Sequence, residues 1–148
     1  MIRGGKRVVM AVDLDFDDIP IGAQASFQHR FTEEDIDRFA ALSGDMSPLH
    51  TDDHYAAETR FGRRLVHGML AAGLLSRLLG MYLPGRRNLC LAQSFDFINP
   101  VYAGDMLEVR GEVEYRQEAL RTLRIRTEIR ILPDRIALRG RALVQVRR

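Results

Sequence analysis

Residues 68–83 read GMLAAGLLSRLLGMYL. Met69, Leu70, Leu74, Leu75, Leu78, Leu79 and Met81 leave this stretch almost without a polar face. A helix that is apolar all round is either buried in a core or spans a membrane. Sixteen residues with Arg77 among them fall short of the ~20 apolar residues that spanning requires. The segment is expected as one core helix, and something must wrap it.

The flanking sequence supplies the wrapping. Downstream, Leu89, Leu91, Gln93, Phe95 and Phe97 recur with the period of two that marks a half-buried strand. Asn99-Pro100 and Gly104-Asp105 read as turns. Leu107, Val109, Val113 and Tyr115 resume the alternation; residues 120–132 follow, and Ile136, Leu138, Ala142, Val144 and Val146 close the chain. Upstream, residues 23–31 read as a first strand. Thr32 then caps a helix with Asp35 at the capping-box position, Ile36, Phe39 and Ala40 form its apolar stripe, and Gly44 ends it. A short helical piece is expected over residues 53–59. Antiparallel strands with one apolar face plus one long buried helix make an α+β domain, the sheet folded over the helix. Residues 1–20, acidic around Asp13, Asp15, Asp17 and Asp18, read as an N-terminal arm; residues 21–148 read as a single domain.

Composition narrows the function classes. A chain of 148 residues with 46% hydrophobic and 28% charged residues is one ordinary globular domain. Cys90 is the only cysteine and cannot form an internal disulfide, which suits a reducing compartment. The apolar run VVMAV near the N-terminus is too short for a signal-peptide core, so a cytoplasmic location and no membrane partner are expected. From Arg110 onward eleven arginines stand against five acids, a balance that could serve nucleic acid. Arg124, Arg126 and Arg130, however, alternate with Leu123, Ile125, Ile129 and Ile131 as the outer face of a strand, and no aromatic set for base stacking accompanies them. No nucleic-acid partner is expected.

The densest polar cluster is Ser43-Gly44-Asp45-Met46-Ser47-Pro48-Leu49-His50. In a continuous helix Asp45 and His50 would sit ~140° apart, and Pro48 disfavours helix at the residue before it. The segment is expected to curl as a loop that aims a carboxylate and an imidazole at one shared atom, a general acid–base pair. On spacing alone, an inert turn acid and a surface histidine are the commoner outcome. At the mouth of the apolar helix stands Val66-His67-Gly68-Met69. The first N–H groups of a helix are unpaired and carry the positive end of its dipole. Gly68 lets a ligand carbonyl approach its N–H, as an oxyanion hole requires; equally, it is a glycine that permits close packing. His67 reads as a structural histidine that satisfies backbone groups. His50, Asp52, Asp53 and His54 have no recognisable metal-ligand spacing, so no metal is expected.

The strings FAALSGDMSPLH, RFGRRLVHGMLAAGLLSRLLG and QSFDFINPVYAGD, in this order and spacing, resemble the MaoC-like hydratases, (R)-specific enoyl-CoA hydratases of hot-dog fold, from about residue 20 to the C-terminus. The resemblance implies that Asp45 and His50 grip the attacking water, that Gly68 N–H binds the thioester carbonyl, and that Ser76 supports the site. Asp52 also matches the motif's continuation, while Ser47 stands where the family usually has Asn, which puts the local hydrogen bonding of the loop in question. It further implies a homodimer, no cofactor, and hydration of a trans-2-enoyl-CoA to the (R)-3-hydroxyacyl thioester. Three other roles belong to related hot-dog proteins: dehydration on an acyl carrier protein, thioester hydrolysis, and non-catalytic acyl-thioester sensing. The Asp45–His50 pair favours hydration over sensing, because a binder has no need to activate water.

Overall fold

The computed structural model describes residues 10–148. Five strands, β1 (Gln24–His29), β2 (Asn88–Phe97), β3 (Leu107–Gln117), β4 (Thr122–Ile131) and β5 (Arg135–Val146), form one antiparallel sheet in the order β1-β3-β4-β5-β2. Burial alternates along β3 and β4, with Leu107, Val109, Val113, Ile125, Ile129 and Ile131 inward and Arg124 and Arg126 outward. The outward arginines meet acids on other strands, Arg126 with Glu112 at 2.7 Å and, on β5, Arg141 with Glu114 at 2.8 Å. The basic stripe is therefore the solvated, charge-paired face of the sheet.

Four helices precede β2: α1 (Glu33–Ser43), α2 (Pro48–Thr51), α3 (Asp53–Ala57) and α4 (Gly68–Arg77). Ala71, Ala72, Leu74, Leu75 and Leu78 pack with Val109, Ile129 and Leu138 in one core cluster, so the sheet encloses α4 on its inner face. This is the hot-dog arrangement. The apolar stretch 68–83 is not one α-helix. It is α-helical to Arg77 and continues as a π-helical turn, Leu78–Tyr82, closed by Leu83 N–H donating to the Leu78 carbonyl at 3.0 Å. The wider turn places Leu78 in the first core cluster while Leu79 and Leu83 enter a second. No helix among the described residues is long and apolar enough to cross a membrane.

Local chemistry sets the helix ends. Thr32 Oγ1 accepts from Asp35 N–H at 3.2 Å and Asp35 Oδ2 accepts from Thr32 N–H at 2.9 Å, a reciprocal capping box. Gly44, at φ 79°, stops α1 in the left-handed conformation. The segment after it differs from a plain loop. Only residues 44–47 are irregular, and Pro48 opens α2 as its first residue. Proline is tolerated there because that N–H would be unpaired in any case. His50 consequently rides on a helical turn.

Residues 1–9 of the expected arm lie outside the described residues. Residues 10–20 lie along one end of the sheet as a strap. Val12 N–H donates to the Met81 carbonyl at 3.0 Å, and Asp13 bridges Gly85. Gly85 is at φ 88°, and a β-carbon there would collide with the Val12 carbonyl. Arg87 pairs with both Asp13 and Asp15, and Arg121 with Asp15 at 2.9 Å. Phe16 and Ile19, each 1% exposed, fill the second core cluster beside Leu79, Val113, Leu123 and Val144. The Arg116 guanidinium carbon lies 4.4 Å from the Phe16 ring centre, a cation–π contact. Replacing Phe16 with Ala should lower stability by about 3 kcal/mol or more, the usual cost of emptying a buried aromatic site. Denaturant unfolding reads this, and an unchanged midpoint would show that the strap is not part of the core.

Candidate functional site

The polar groups of the overhang α1–α3 converge on the start of α4. Gly44 reverses the chain so that Asp45 follows immediately, and α2 delivers His50. A carboxylate oxygen of Asp45 and one ring nitrogen each of His50 and His67 lie within 4.8 Å of one another. Asp45 Oδ1 accepts from Ser47 N–H at 3.2 Å, while Oδ2 lies 4.0 Å from His67 Nε2. Asp45 is exposed and His50 partly buried, so the pair opens to a ligand.

The ring roles follow from the partners. His50 Nδ1 lies 2.9 Å from the Leu65 carbonyl. A carbonyl only accepts, so Nδ1 carries the proton, and in the neutral ring Nε2 is left with a lone pair. By the same logic His67 Nε2, 3.1 Å from the Asp45 main-chain carbonyl, is a donor. His67 is 2% exposed, stacks on His50 with ring centres 4.0 Å apart, and takes the Phe39 ring on its other side at 4.8 Å. It thus ties Asp45 and His50 to one rigid support.

Gly68 opens α4 behind His67. Among the described residues no acceptor takes its N–H. A β-carbon there would press on the Phe97 ring at 2.7 Å, so the glycine lets that ring pack against the start of the helix. A mainly apolar groove of about 510 Å³ lies at Met69 and Leu70, with Phe39, Leu42 and Leu74 in its lining together with His29, Asp35, Arg38 and Arg77. A larger hollow of about 920 Å³ lies on the outer face of the sheet among charged side chains, away from these groups.

Other residues singled out by sequence lie elsewhere or do other work. Ser76 is exposed on α4, ~12 Å along the axis from Gly68 at 1.5 Å per residue. Asp52 Oδ1 accepts from Tyr55 N–H and caps α3, Asp53 faces Arg64 at 2.9 Å, and the exposed His54 faces Glu58 at 3.8 Å. Ser47 makes no side-chain cap; Thr51 Oγ1, donating to the Met46 and Ser47 carbonyls, closes that turn. Sequence reasoning missed Leu65, whose carbonyl fixes the His50 tautomer, and Arg64, which is 9% exposed. A second arginine directly before the apolar pair Leu65-Val66 was the available signal.

The chain matches the family model described as MaoC like domain over residues 18–130. It is 39% identical over 128 residues to an (R)-specific enoyl-CoA hydratase of Aeromonas caviae, covering 86% of this chain and 96% of the relative. A 3-hydroxybutyryl-CoA dehydratase of Methylorubrum extorquens is 36% identical over 133 residues, 90% of this chain and 84% of the relative. The unliganded R-hydratase of Pseudomonas aeruginosa superposes with a TM-score of 0.87 at 32% identity, covering 91% of this chain and 86% of that one.

Replacing His67 with Ala removes the ring between Phe39 and His50 together with a buried hydrogen bond. A loss of about 2 kcal/mol is expected from cavity and hydrogen-bond terms together. A His67→Ala chain with unaltered denaturant midpoint would contradict the supporting role.

Proposed function

The chain belongs to the MaoC-like domain family, and from that membership we propose that it adds water to trans-2-enoyl-CoA, giving the (R)-3-hydroxyacyl thioester. One observation carries the reading: the Asp45 carboxylate and the His50 imidazole converge beside the open N–H end of an apolar helix. His50 Nε2 and the Asp45 carboxylate hold a water and take its proton, a general acid–base role. Gly68 N–H donates to the thioester carbonyl oxygen, which draws electron density from C3 and stabilises the enolate. The water oxygen bonds to C3, the double-bond pair moves onto the enolate, and return of a proton to C2 restores the thioester. Atoms and charge balance without redox change, and the step as proposed draws only on these protein groups and water. Ser76 enters as a supporting residue through the family resemblance alone.

Run backwards, the same site dehydrates a 3-hydroxyacyl thioester. The acyl chain is proposed to lie along the groove at Met69 and Leu70 whether the carrier is coenzyme A or an acyl carrier protein, and the coenzyme A named for both curated relatives favours the former. We propose further that two copies pair through β2. It is an edge strand, and Leu89, Leu91, Phe97 and Ile98 are exposed on it and just beyond it; an unpaired apolar edge invites another chain. A cytoplasmic setting fits the single free thiol, Cys90.

The deciding experiment supplies crotonyl-CoA and follows loss of the enoyl-thioester absorbance, then identifies the product with stereospecific dehydrogenases. With water and carbonyl both fixed, only one face of C3 meets the water, and (R)-3-hydroxybutyryl-CoA is expected. A racemic or (S) product would refute the placement of one of the two points. Tight acyl-CoA binding without any product would make the chain a sensor. In parallel, Asp45→Asn keeps the shape of the side chain and removes the base, so turnover should fall at least ~10²-fold with circular dichroism unchanged. A folded, active Asp45→Asn enzyme would remove Asp45 from the mechanism.

A further inference from the structure

α2 is a helical turn of four residues, Pro48–Thr51. One turn cannot sustain itself in water, so the orientation of His50 depends on what holds the turn from outside. Leu65 makes two of those ties, Leu65 N–H to the Leu49 carbonyl at 3.2 Å and the Leu65 carbonyl to His50 Nδ1 at 2.9 Å. Next to it in the chain stands Arg64, whose side chain is 9% exposed. One guanidinium nitrogen, Nη1, lies 2.7 Å from Asp37 Oδ1 and 3.4 Å from the His50 main-chain carbonyl. Nε lies 2.9 Å from Asp53 Oδ1, yet its N–H is not aimed at that oxygen, so this contact is ionic and not a hydrogen bond. Nη2 is 3.7 Å from Glu33.

These partners are spread over the whole overhang. Asp37 belongs to α1, the helix that ends at Gly44 and delivers Asp45; Asp53 opens α3, which follows His50. A single guanidinium therefore spans the elements on both sides of the Asp45–His50 pair. We infer that Arg64 is a positioning residue for the hydration step, holding α1, α2 and α3 so that the His50 imidazole faces the attacking water. The inference rests on the hydratase reading above. The three carboxylates are largely exposed, at 68%, 60% and 82% for Glu33, Asp37 and Asp53, and such pairs add little stability singly. Their effect is geometric. Without the cation, three carboxylates face one another beneath the catalytic turn, and a displacement of ~1 Å at a reacting group can cost ~10²-fold in rate. Lysine cannot replace the fork, because its single ammonium reaches fewer partners at once.

The test uses the full-length protein with crotonyl-CoA. Arg64→Met should lower kcat by roughly 10- to 100-fold with KM changed less than about threefold, since the lost interaction serves the reaction step and not binding. Arg64→Lys should recover only part of the loss. Asp37→Asn, which removes the nearer charge on α1 and leaves that helix only Glu33 at 3.7 Å from the guanidinium, should show the same pattern more weakly; it carries the test if Arg64→Met fails to fold. The decisive readout is a double-mutant cycle. In a His50→Ala background, Arg64→Met should lower the residual rate by less than about twofold, because Arg64 acts through His50. An equal loss in both backgrounds, a loss confined to KM, or a loss matching the unfolded fraction by circular dichroism would overturn the inference and leave the hydratase reading in place. A wild-type chain without turnover would overturn both.

Discussion

α4 carries a broad apolar flank that must be kept from water, and this constraint organises the molecule. Ala71, Ala72, Leu74 and Leu75 are buried, while Met69, Gly73, Ser76 and Arg77 form an exposed stripe on the other flank. The buried flank is stable only against a surface that removes it from solvent. Five antiparallel strands with one apolar face each provide it. The strap at residues 10–20 completes the enclosure where the helix widens into its π-helical turn, with Phe16 and Ile19 against Leu79.

At the N-terminus of the helix the backbone keeps free N–H groups. There the unpaired N–H groups are not quenched by a capping side chain, since His67 makes no cap bond to the helix it precedes. His67 instead reaches back to the Asp45 carbonyl and stacks on His50. The dipole end, the carboxylate and the imidazole are consequently brought together by one buried ring. The proposed hydration draws on these two points, one for the carbonyl and one for the water.

Charge is distributed in the same economical way. Lysine and arginine number 22 against 20 acids, and arginine repeatedly ties elements that sequence separates. Arg87 and Arg121 fasten the strap, Arg126 and Arg141 cross-link strands, and Arg64 joins the overhang to the helix mouth. A planar fork with several donors suits each of these multi-partner positions better than an ammonium.

The sequence by itself determined the period-two strands, the capped α1, the apolar α4 and the local identity of Asp45, His50 and Gly68, because each of these rests on residues near one another in the chain. It misjudged Pro48, which starts a helical turn where a loop was expected, since a proline at the first helical position loses nothing. It also took 68–83 as uniform helix, since apolarity alone does not distinguish an α from a π turn. Tertiary structure alone decided that Phe16 and Ile19 join the core, that Leu65 sets the His50 tautomer, and that Arg64 meets acids 27 and 11 residues earlier in the chain. These depend on contacts between elements whose relative placement is fixed by packing around α4, and no local pattern of residues encodes such distances.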